Sequence, residues 1–246
     1  MPMNLLMNNL SQYQQTFHLD LHTHCLPGID DGAKNPEVSL QLLSRLLEQG
    51  ITKVVFTPHF YPHKETLSSL LRRRFESWNR LIPHLQGKKV PNLCVGAEIY
   101  LTRELSREDL RPLCLGKSNY LLIEMPRQPY HEWMAEEIQN IAFTWNVIPI
   151  IAHIERYLPW YSAKDYESLL AFDEQILQFN AESVLKKTDF KFIYKLYQVG
   201  YPLLISSDCH DLEMRRPVFD QAVQFLSKKK QGREILAALQ NDNLVL

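Results

Sequence analysis

Residues 147–153 read Val-Ile-Pro-Ile-Ile-Ala-His, an apolar run that ends on a histidine. Apolar character sustained over this length is typical of a parallel strand that is covered on both faces. The preceding segment carries Met134, Ile138, Ile141 and Trp145 at helical spacing, which predicts a helix with one buried face. Six further runs of the strand type occur along the chain, at residues 17–22, 53–57, 93–99, 120–124, 175–180 and 203–207.

Longer amphipathic segments separate these runs. The first begins at Asn35-Pro36, which suits an N-cap followed by a proline in the first helical turn, and Gly50 suits its end. Regular alternation of strands and helices predicts a parallel sheet. Seven strands therefore predict an α/β fold, a closed or nearly closed (β/α) barrel. We expect one barrel domain at residues 17–246, preceded by a polar arm at residues 1–16.

Composition narrows the class of protein. The 246 residues include 27 basic and 28 acidic side chains, whereas a dedicated nucleic-acid binder normally has a basic excess. The four cysteines are scattered without a C-x-x-C pair, which argues against a disulfide framework or a thiolate zinc site. The N-terminus lacks the pattern of a signal peptide, and no apolar run approaches the roughly 18 residues of a membrane helix. We expect a cytoplasmic protein without membrane insertion; its oligomeric state is not predicted.

Polar side chains cluster at the predicted strand ends. In a β/α barrel, these ends converge on one face, where active sites lie. His22-Thr23-His24 and Asp208-Cys209-His210 place alternate side chains on one face of an extended chain. Glu98 and Glu124 lie inside apolar runs, where a carboxylate is costly unless it is paired, protonated or bound to metal. The set comprises His22, His24, His59, Glu98, Glu124, His153, Asp208 and His210.

Each of these signals alone fits an ordinary surface or core residue, but their common placement predicts a metal cluster. Mixed imidazole and carboxylate donors suit Mn, Fe or Zn better than Ca or a metal that prefers thiolates. The donors exceed the needs of one ion, which predicts two or three ions. Glu98 is the expected bridging carboxylate.

The ordered motifs resemble the polymerase-and-histidinol-phosphatase (PHP) superfamily. Within it, the chain resembles the bacterial manganese-dependent protein-tyrosine phosphatases of the CpsB/CapC type. The resemblance covers residues 18–217. It is carried by His22-Thr23-His24, the segments 26–32, 57–59, 96–100 and 123–124, the segment 151–157 and Ser207-Asp208-Cys209-His210.

This resemblance implies a distorted seven-stranded barrel that holds two or three metal ions, Mn by preference and otherwise Fe, Zn or Mg. It implies hydrolysis of phosphotyrosine, on a bacterial tyrosine autokinase that regulates capsule or exopolysaccharide synthesis. It gives phosphate-binding roles to Arg156 and Arg215, with Arg216 as the alternative to Arg215. His59 and His210 are candidates for the general acid. The implied metal ligands are His22, His24, Asp31, His59, Glu98, Glu124, His153, Asp208 and His210.

Several other functions compete with this one. A small-molecule PHP phosphatase, for example one acting on histidinol phosphate, would share the motifs. An amidohydrolase commonly carries a lysine at the fourth strand end, where this chain has Glu124, and a non-catalytic kinase-binding scaffold would need fewer ligands. Residues 209–215 match the C-x5-R loop of cysteine-dependent tyrosine phosphatases, but the segment has two acids and no glycine. We therefore expect Cys209 to pack rather than attack phosphate.

Overall fold

The computed structural model describes residues 18–172 and 174–246; the predicted arm at 1–16 lies outside them. Every strand pairing is parallel, as the apolar runs predict. Across the described ranges, no helix combines the length and apolar character that a membrane crossing requires. The strands are β1 (Leu19–Thr23), β2 (Lys53–Phe56), β3 (His59–Phe60), β4 (Asn92–Val95), β5 (Glu98–Tyr100), β6 (Tyr120–Glu124), β7 (Ile148–Ile151), β8 (Ile176–Asn180) and β9 (Leu203–Ser206).

Each of the seven predicted runs contains a strand, but the run at 93–99 is divided between β4 and β5, and the short strand β3 lies just beyond the predicted run at 53–57. Residues 57–58 interrupt the extended structure between β2 and β3, and residues 96–97 interrupt it between β4 and β5. Strands β1-β2-β4 form one sheet and β3-β5-β6-β7-β8-β9 the other. The sheets meet again where Thr23 bridges Cys209 in parallel. The predicted α/β fold is confirmed, as a distorted barrel whose ladder of hydrogen bonds is interrupted rather than continuous.

The helices follow the strands as predicted, and their ends are set by local chemistry. The Asn35 side chain accepts a hydrogen bond from the Val38 N–H at 3.0 Å, and Pro36 is the first helical residue of α1. Gly50, just beyond that helix, has φ +91°, a value that glycine adopts without strain. The helices are α1 (Pro36–Glu48), α2 (Leu67–Leu85), α3 (Glu132–Trp145), α4 (Ala163–Leu169), α5 (Lys187–Val199), α6 (Phe219–Ser227) and α7 (Lys230–Ala238).

Apolar packing fixes the strand ends relative to one another. The barrel interior holds a small apolar cluster to which strands of both sheets contribute, including Leu21, Val55, Leu122, Ile150 and Leu204. A larger cluster contains the buried faces of the helices and the other faces of the strands. Full burial of one leucine or isoleucine side chain is worth about 1.5–3 kcal/mol. A scaffold packed in this way holds polar side chains at the strand ends in fixed positions.

Candidate metal centre

The predicted ligands converge on the face of the barrel formed by the C-terminal ends of the strands. His22 lies in β1, His59 begins β3, Glu98 begins β5 and Glu124 ends β6. The other predicted ligands lie in the segments that follow β1, β7 and β9; these are His24, Asp31, His153, Asp208 and His210. Most of the nine side chains are buried, whereas Asp31 is exposed at the rim.

The donor atoms form three overlapping groups, in each of which the atoms lie within 4.8 Å of one another. Because two histidines each belong to two groups, the groups are neighbouring parts of one centre. This arrangement fits the predicted two or three ions. The groups are His24-Asp31-His59-His210, His22-His24-Asp208 and His59-Glu98-Glu124.

Glu98 lies at the middle of the centre. Its Oε2 atom is 3.4 Å from His22 Nε2, 3.3 Å from His24 Nε2 and 2.8 Å from His59 Nδ1. Its Oε1 atom lies 2.9 Å from His153 Nε2, so His153, which belongs to none of the three groups, also contacts the centre. A carboxylate within reach of four imidazoles is well placed to bridge two cations, the role predicted for Glu98.

Unpartnered buried atoms support the presence of a cation. His59 Nδ1, Glu98 Oε2 and His210 Nε2 are buried, and none of them makes a contact with hydrogen-bond geometry, although His59 Nδ1 lies 2.8 Å from Glu98 Oε2 and His210 Nε2 lies 3.3 Å from Asp31 Oδ1. Leaving a buried polar atom unpaired costs about 1–3 kcal/mol, which coordination to a metal would remove. All three atoms belong to predicted ligands. The donor set therefore fits divalent cations on an observation independent of the sequence motifs.

Two buried carboxylates lie close together in the centre, which is electrostatically unfavourable without a cation. Burial first, and then the charge of Glu98, raise the pKa of Glu124 to about 7. Two carboxylates that share a site resist ionising together unless a positive charge lies beside them. His153 Nε2 is 3.7 Å from Glu124 Oε1, and Arg127 NH2 is 3.6 Å from the same atom. Bound cations would allow both carboxylates to ionise.

A pair of amide side chains on β8 connects the ligands, and the sequence analysis missed it. Gln178 Oε1 lies 3.1 Å from His22 Nδ1 and accepts from the His153 backbone N–H at 2.8 Å. Gln178 Nε2 donates to Asn180 Oδ1 at 2.9 Å, and Asn180 Nδ2 donates to Asp208 Oδ2 at 3.1 Å. An acceptor for Nδ1–H leaves Nε2 of His22 free to bind metal. Strand β8 supplies no predicted ligand, yet it orients ligands from three other segments.

Two further ligand histidines are oriented in the same way. His24 Nδ1 lies 2.8 Å from Asp30 Oδ2, and Asp30 is not among the predicted site residues. His153 Nδ1 lies 3.1 Å from the Tyr157 hydroxyl, which itself accepts from the Met125 N–H at 2.8 Å. Metal-ligating histidines usually have such a partner on the second ring nitrogen. The pattern therefore matches ligands rather than isolated core histidines.

Backbone strain occurs at two of the predicted ligands. His153 has φ +32° and Asp208 has φ +52°, both in the left-handed region that non-glycine residues seldom adopt. The strained turns are held by backbone hydrogen bonds, from Asp208 N to His22 O at 2.9 Å and from Arg156 N to His153 O at 2.8 Å. Such strain is concentrated at functional sites, where surrounding contacts maintain it.

Two arginines lie beside the metal ligands. Arg156 NH2 is 2.5 Å from Asp208 Oδ2, and Arg215 reaches Asp208 at 3.3 Å and Asp31 at 3.1 Å. Arg216 instead donates to the Glu213 carbonyl at 3.1 Å from an exposed position. Of the two alternatives left by the sequence, Arg215 is therefore the one in the centre.

An open cavity of about 390 Å³ lies over the centre. Three arginines, three metal-ligand candidates and two tyrosines line it together, so an anionic group that enters would meet guanidinium groups beside the candidate ligands. The lining residues are Asp31, His59, Tyr61, Tyr100, Glu124, Arg127, Arg156 and Arg215.

Cys209 does not reach this cavity. It is fully buried, with its Sγ 3.5 Å from Cys25 Sγ. Burial, and then the contact with Cys25, raise the pKa of the Cys209 thiol well above its usual range. A buried neutral thiol is a poor nucleophile. These observations agree with the predicted packing role of Cys209.

Comparison with known proteins identifies the family. A family model described as capsular polysaccharide synthesis, CpsB/CapC, matches residues 18–245. Tyrosine-protein phosphatase CpsB of Streptococcus pneumoniae is 28% identical over 233 residues, which is 88% of this chain and 94% of that protein.

Solved structures show the same fold. A chain from the crystal structures of YwqE from Bacillus subtilis and CpsB from Streptococcus pneumoniae, described as metal-dependent tyrosine phosphatases, superposes with a TM-score of 0.78 at 23% identity, covering 93% of this chain and 94% of that one. Histidinol phosphate phosphatase from Lactococcus lactis, solved with zinc, L-histidinol and phosphate, gives 0.55 at 12% identity, covering 89% and 92%. Because the family model spans nearly the whole chain, the protein belongs to the CpsB/CapC family, as its motif order predicts.

Proposed function

We propose that this chain is a metal-dependent protein-tyrosine phosphatase. The observation that carries the proposal is the cavity in which Arg156 and Arg215 stand beside the overlapping donor groups. Its relative from Streptococcus pneumoniae carries the name tyrosine-protein phosphatase, which supports the same activity. We propose Mn²⁺ in two or three sites, with the nine predicted ligands as donors. Bound divalent ions lower the pKa of water and offset charge on a phosphoryl group.

The arginines orient the phosphate in this mechanism. A guanidinium has five N–H donors, so Arg156 can keep its contact with Asp208 and still present donors to phosphate oxygens. Arg215 has the same capacity while it holds Asp31 and Asp208. Such charge-assisted, forked contacts stabilise the charge that develops on the equatorial oxygens during transfer.

The leaving group places a modest demand on the protein. Tyrosine has a pKa of about 10, so its oxygen departs more readily than an alkoxide. His59 and His210 both belong to the donor groups, so each would give one ring nitrogen to a cation, and the other nitrogen of His210 lies 2.9 Å from the Asp208 carbonyl oxygen. Because the phenolic oxygen departs readily, we propose that it leaves with little help from a protein acid.

The proposed substrate is a phosphorylated bacterial tyrosine autokinase in the cytoplasm that controls capsule or exopolysaccharide assembly. Support comes from the family's link to capsular polysaccharide synthesis. A small-molecule phosphatase is the second candidate, favoured by the shared fold with histidinol phosphate phosphatase. An amidohydrolase is disfavoured, because the fourth strand position ends in Glu124 rather than lysine.

Turnover of matched substrates tests the proposal. The purified protein is assayed for phosphate release from a phosphotyrosine peptide and from histidinol phosphate at equal concentrations, with added Mn²⁺. We expect kcat/KM to be higher for the peptide. A higher value for histidinol phosphate would support the second candidate. Absence of turnover on both substrates, by protein that binds a phosphorylated kinase segment, would indicate a scaffold and contradict the proposal.

A further inference from the structure

Two neighbouring segments each carry a predicted ligand followed, two residues later, by a tyrosine. His59 of β3 pairs in register with Glu98 of β5, and Phe60 pairs with Ile99. Tyr61 follows His59 by two positions, as Tyr100 follows Glu98. Alternate residues of an extended chain share a face, about 6.6 Å apart along the strand. The register therefore places a pair of tyrosines one layer outward from a pair of metal-ligand candidates.

The two tyrosine rings form one wall of the cavity over the centre. Their ring centroids are 5.7 Å apart at an interplanar angle of 49°, and both residues are partly buried. His63 packs edge-on against Tyr100 at 5.6 Å and against Tyr61 at 5.9 Å, which fixes the pair from outside. The Lys64 ammonium lies 4.2 Å from the Tyr61 ring but lines a neighbouring cavity. We call Tyr61 and Tyr100 the tyrosine wall.

The same cavity combines this wall with positive charge. Arg127, Arg156 and Arg215 line it together with the two tyrosines. A ligand that matches both features has an anionic head and an aromatic body. Phosphotyrosine has this form, whereas phosphoserine and other alkyl phosphates have only the anionic head. In phosphotyrosine, the ring is bonded directly to the ester oxygen. When the phosphate lies at the metal centre, the ring therefore extends outward and lies beside Tyr61 and Tyr100.

We propose that Tyr61 and Tyr100 select aryl phosphates over alkyl phosphates by packing against the ring of the substrate. This inference rests on the proposed phosphatase function and assigns its substrate preference to two residues that are not metal ligands. Aromatic rings attract one another at centroid separations of roughly 4.5–7 Å. An added aromatic contact favours binding by a few-fold to about tenfold. The preference acts on binding, so it affects KM more than kcat.

The test compares binding and turnover for aryl and alkyl ligands. Calorimetry measures the Kd of benzylphosphonate and of methylphosphonate for the Mn²⁺-loaded protein, which needs no turnover. We expect the wild type to bind the benzyl compound about tenfold more tightly and the Tyr61→Leu/Tyr100→Leu variant to lose most of this preference. In kinetics, the variant should raise KM for a phosphotyrosine peptide by a larger factor than KM for a phosphoserine peptide.

Matched variants separate recognition from structural damage. Tyr61→Phe/Tyr100→Phe keeps both rings and should keep the aryl preference. Tyr197→Leu, in a separate cavity beside Gly200 and Pro202, should leave both Kd values unchanged. Metal content is measured for each variant, because Tyr61 packs against His59 at 5.1 Å.

Wild-type protein without an aryl preference in binding would overturn the proposal, even if the leucine variant fails to fold. Equal losses for the benzyl and methyl compounds in the leucine variant would also overturn it. If the wild type binds the benzyl compound preferentially but hydrolyses no phosphate ester, the binding role of the tyrosine wall is supported and the proposed phosphatase function is contradicted.

Discussion

Replacing Arg156 by lysine tests the part of the centre that is assigned to phosphate rather than to metal. In the structure, Arg156 NH2 holds Asp208 at 2.5 Å, and the other guanidinium donors remain for a second partner. A lysine ammonium can keep one of these contacts but cannot reproduce the fork. The expected loss is one charge-assisted hydrogen bond in the transition state, about 2–3 kcal/mol. This corresponds to a fall in kcat/KM of roughly 30- to 150-fold.

Metal content is expected to survive this change. Asp208 keeps hydrogen bonds from Asn180 Nδ2 at 3.1 Å and from Arg215 NH2 at 3.3 Å, so its carboxylate stays in place. Glu155 is buried and accepts from Ser183 Oγ at 2.6 Å. The alternative role of Arg156 is a surface ion pair with an acid, which would contribute at most about 1 kcal/mol to stability and nothing to catalysis, and the burial of Glu155 rules it out as the acid of such a surface pair.

Steady-state kinetics on a phosphotyrosine peptide, with metal analysis of the same sample, decides whether Arg156 binds phosphate or only forms a structural ion pair. Arg216→Lys is the matched control, because Arg216 is exposed and bonds only the Glu213 carbonyl among the contacts described. It should leave kcat/KM within about twofold of wild type, in keeping with the small effect of ordinary surface substitutions. Unchanged kcat/KM in metal-loaded Arg156→Lys would show that Arg156 takes no part in the reaction.

Three further substitutions test other parts of the account. Cys209→Ser should keep most phosphatase activity with metal present, because the thiol is buried; a loss of several orders of magnitude in folded, metal-loaded protein would make it the nucleophile. Gln178→Leu removes the acceptor of His22 Nδ1 and should weaken metal affinity about 10- to 100-fold in a chelator competition. The exposed variant Gln224→Leu serves as its control, and equal affinities would contradict the orienting role. Gly32→Ala would place a Cβ 2.0 Å from the His24 carbonyl oxygen and should lower the free energy of unfolding by about 1–3 kcal/mol in denaturant titration, whereas wild-type stability would show that the loop shifts freely.

The strand positions were predictable because burial on both faces leaves nearly continuous apolar runs. The interruption of the run at 93–99, and the short strand β3 beyond the run at 53–57, were not predictable in the same way. The run at 93–99 reads as one strand, but Gly96 packs against Leu115, where a Cβ would lie 2.6 Å from Leu115 Cδ2. That contact joins residues from different segments, and no local pattern reports it.

The site was predictable where the side chain itself carries the chemistry. Histidines and carboxylates at strand ends drew attention by type and position, whereas their orienting partners are residue types with many ordinary roles. Gln178 and Asn180 nonetheless gave a signal, since two polar residues alternate within the buried run at 175–180. Asp30 gave no such signal, because its contact with His24 depends on how the loop folds back. The choice between Arg215 and Arg216 likewise required the direction of each side chain.

Bound metal ions at the converged strand ends would make this chain a phosphatase. This dependence is tested by metal content from mass spectrometry and by turnover of a phosphotyrosine peptide, measured on the same sample during chelation and Mn²⁺ restoration. We expect more than one ion per chain, activity that falls as the metal is removed, and recovery when Mn²⁺ is added. Full activity in protein shown to be free of metal would contradict this dependence.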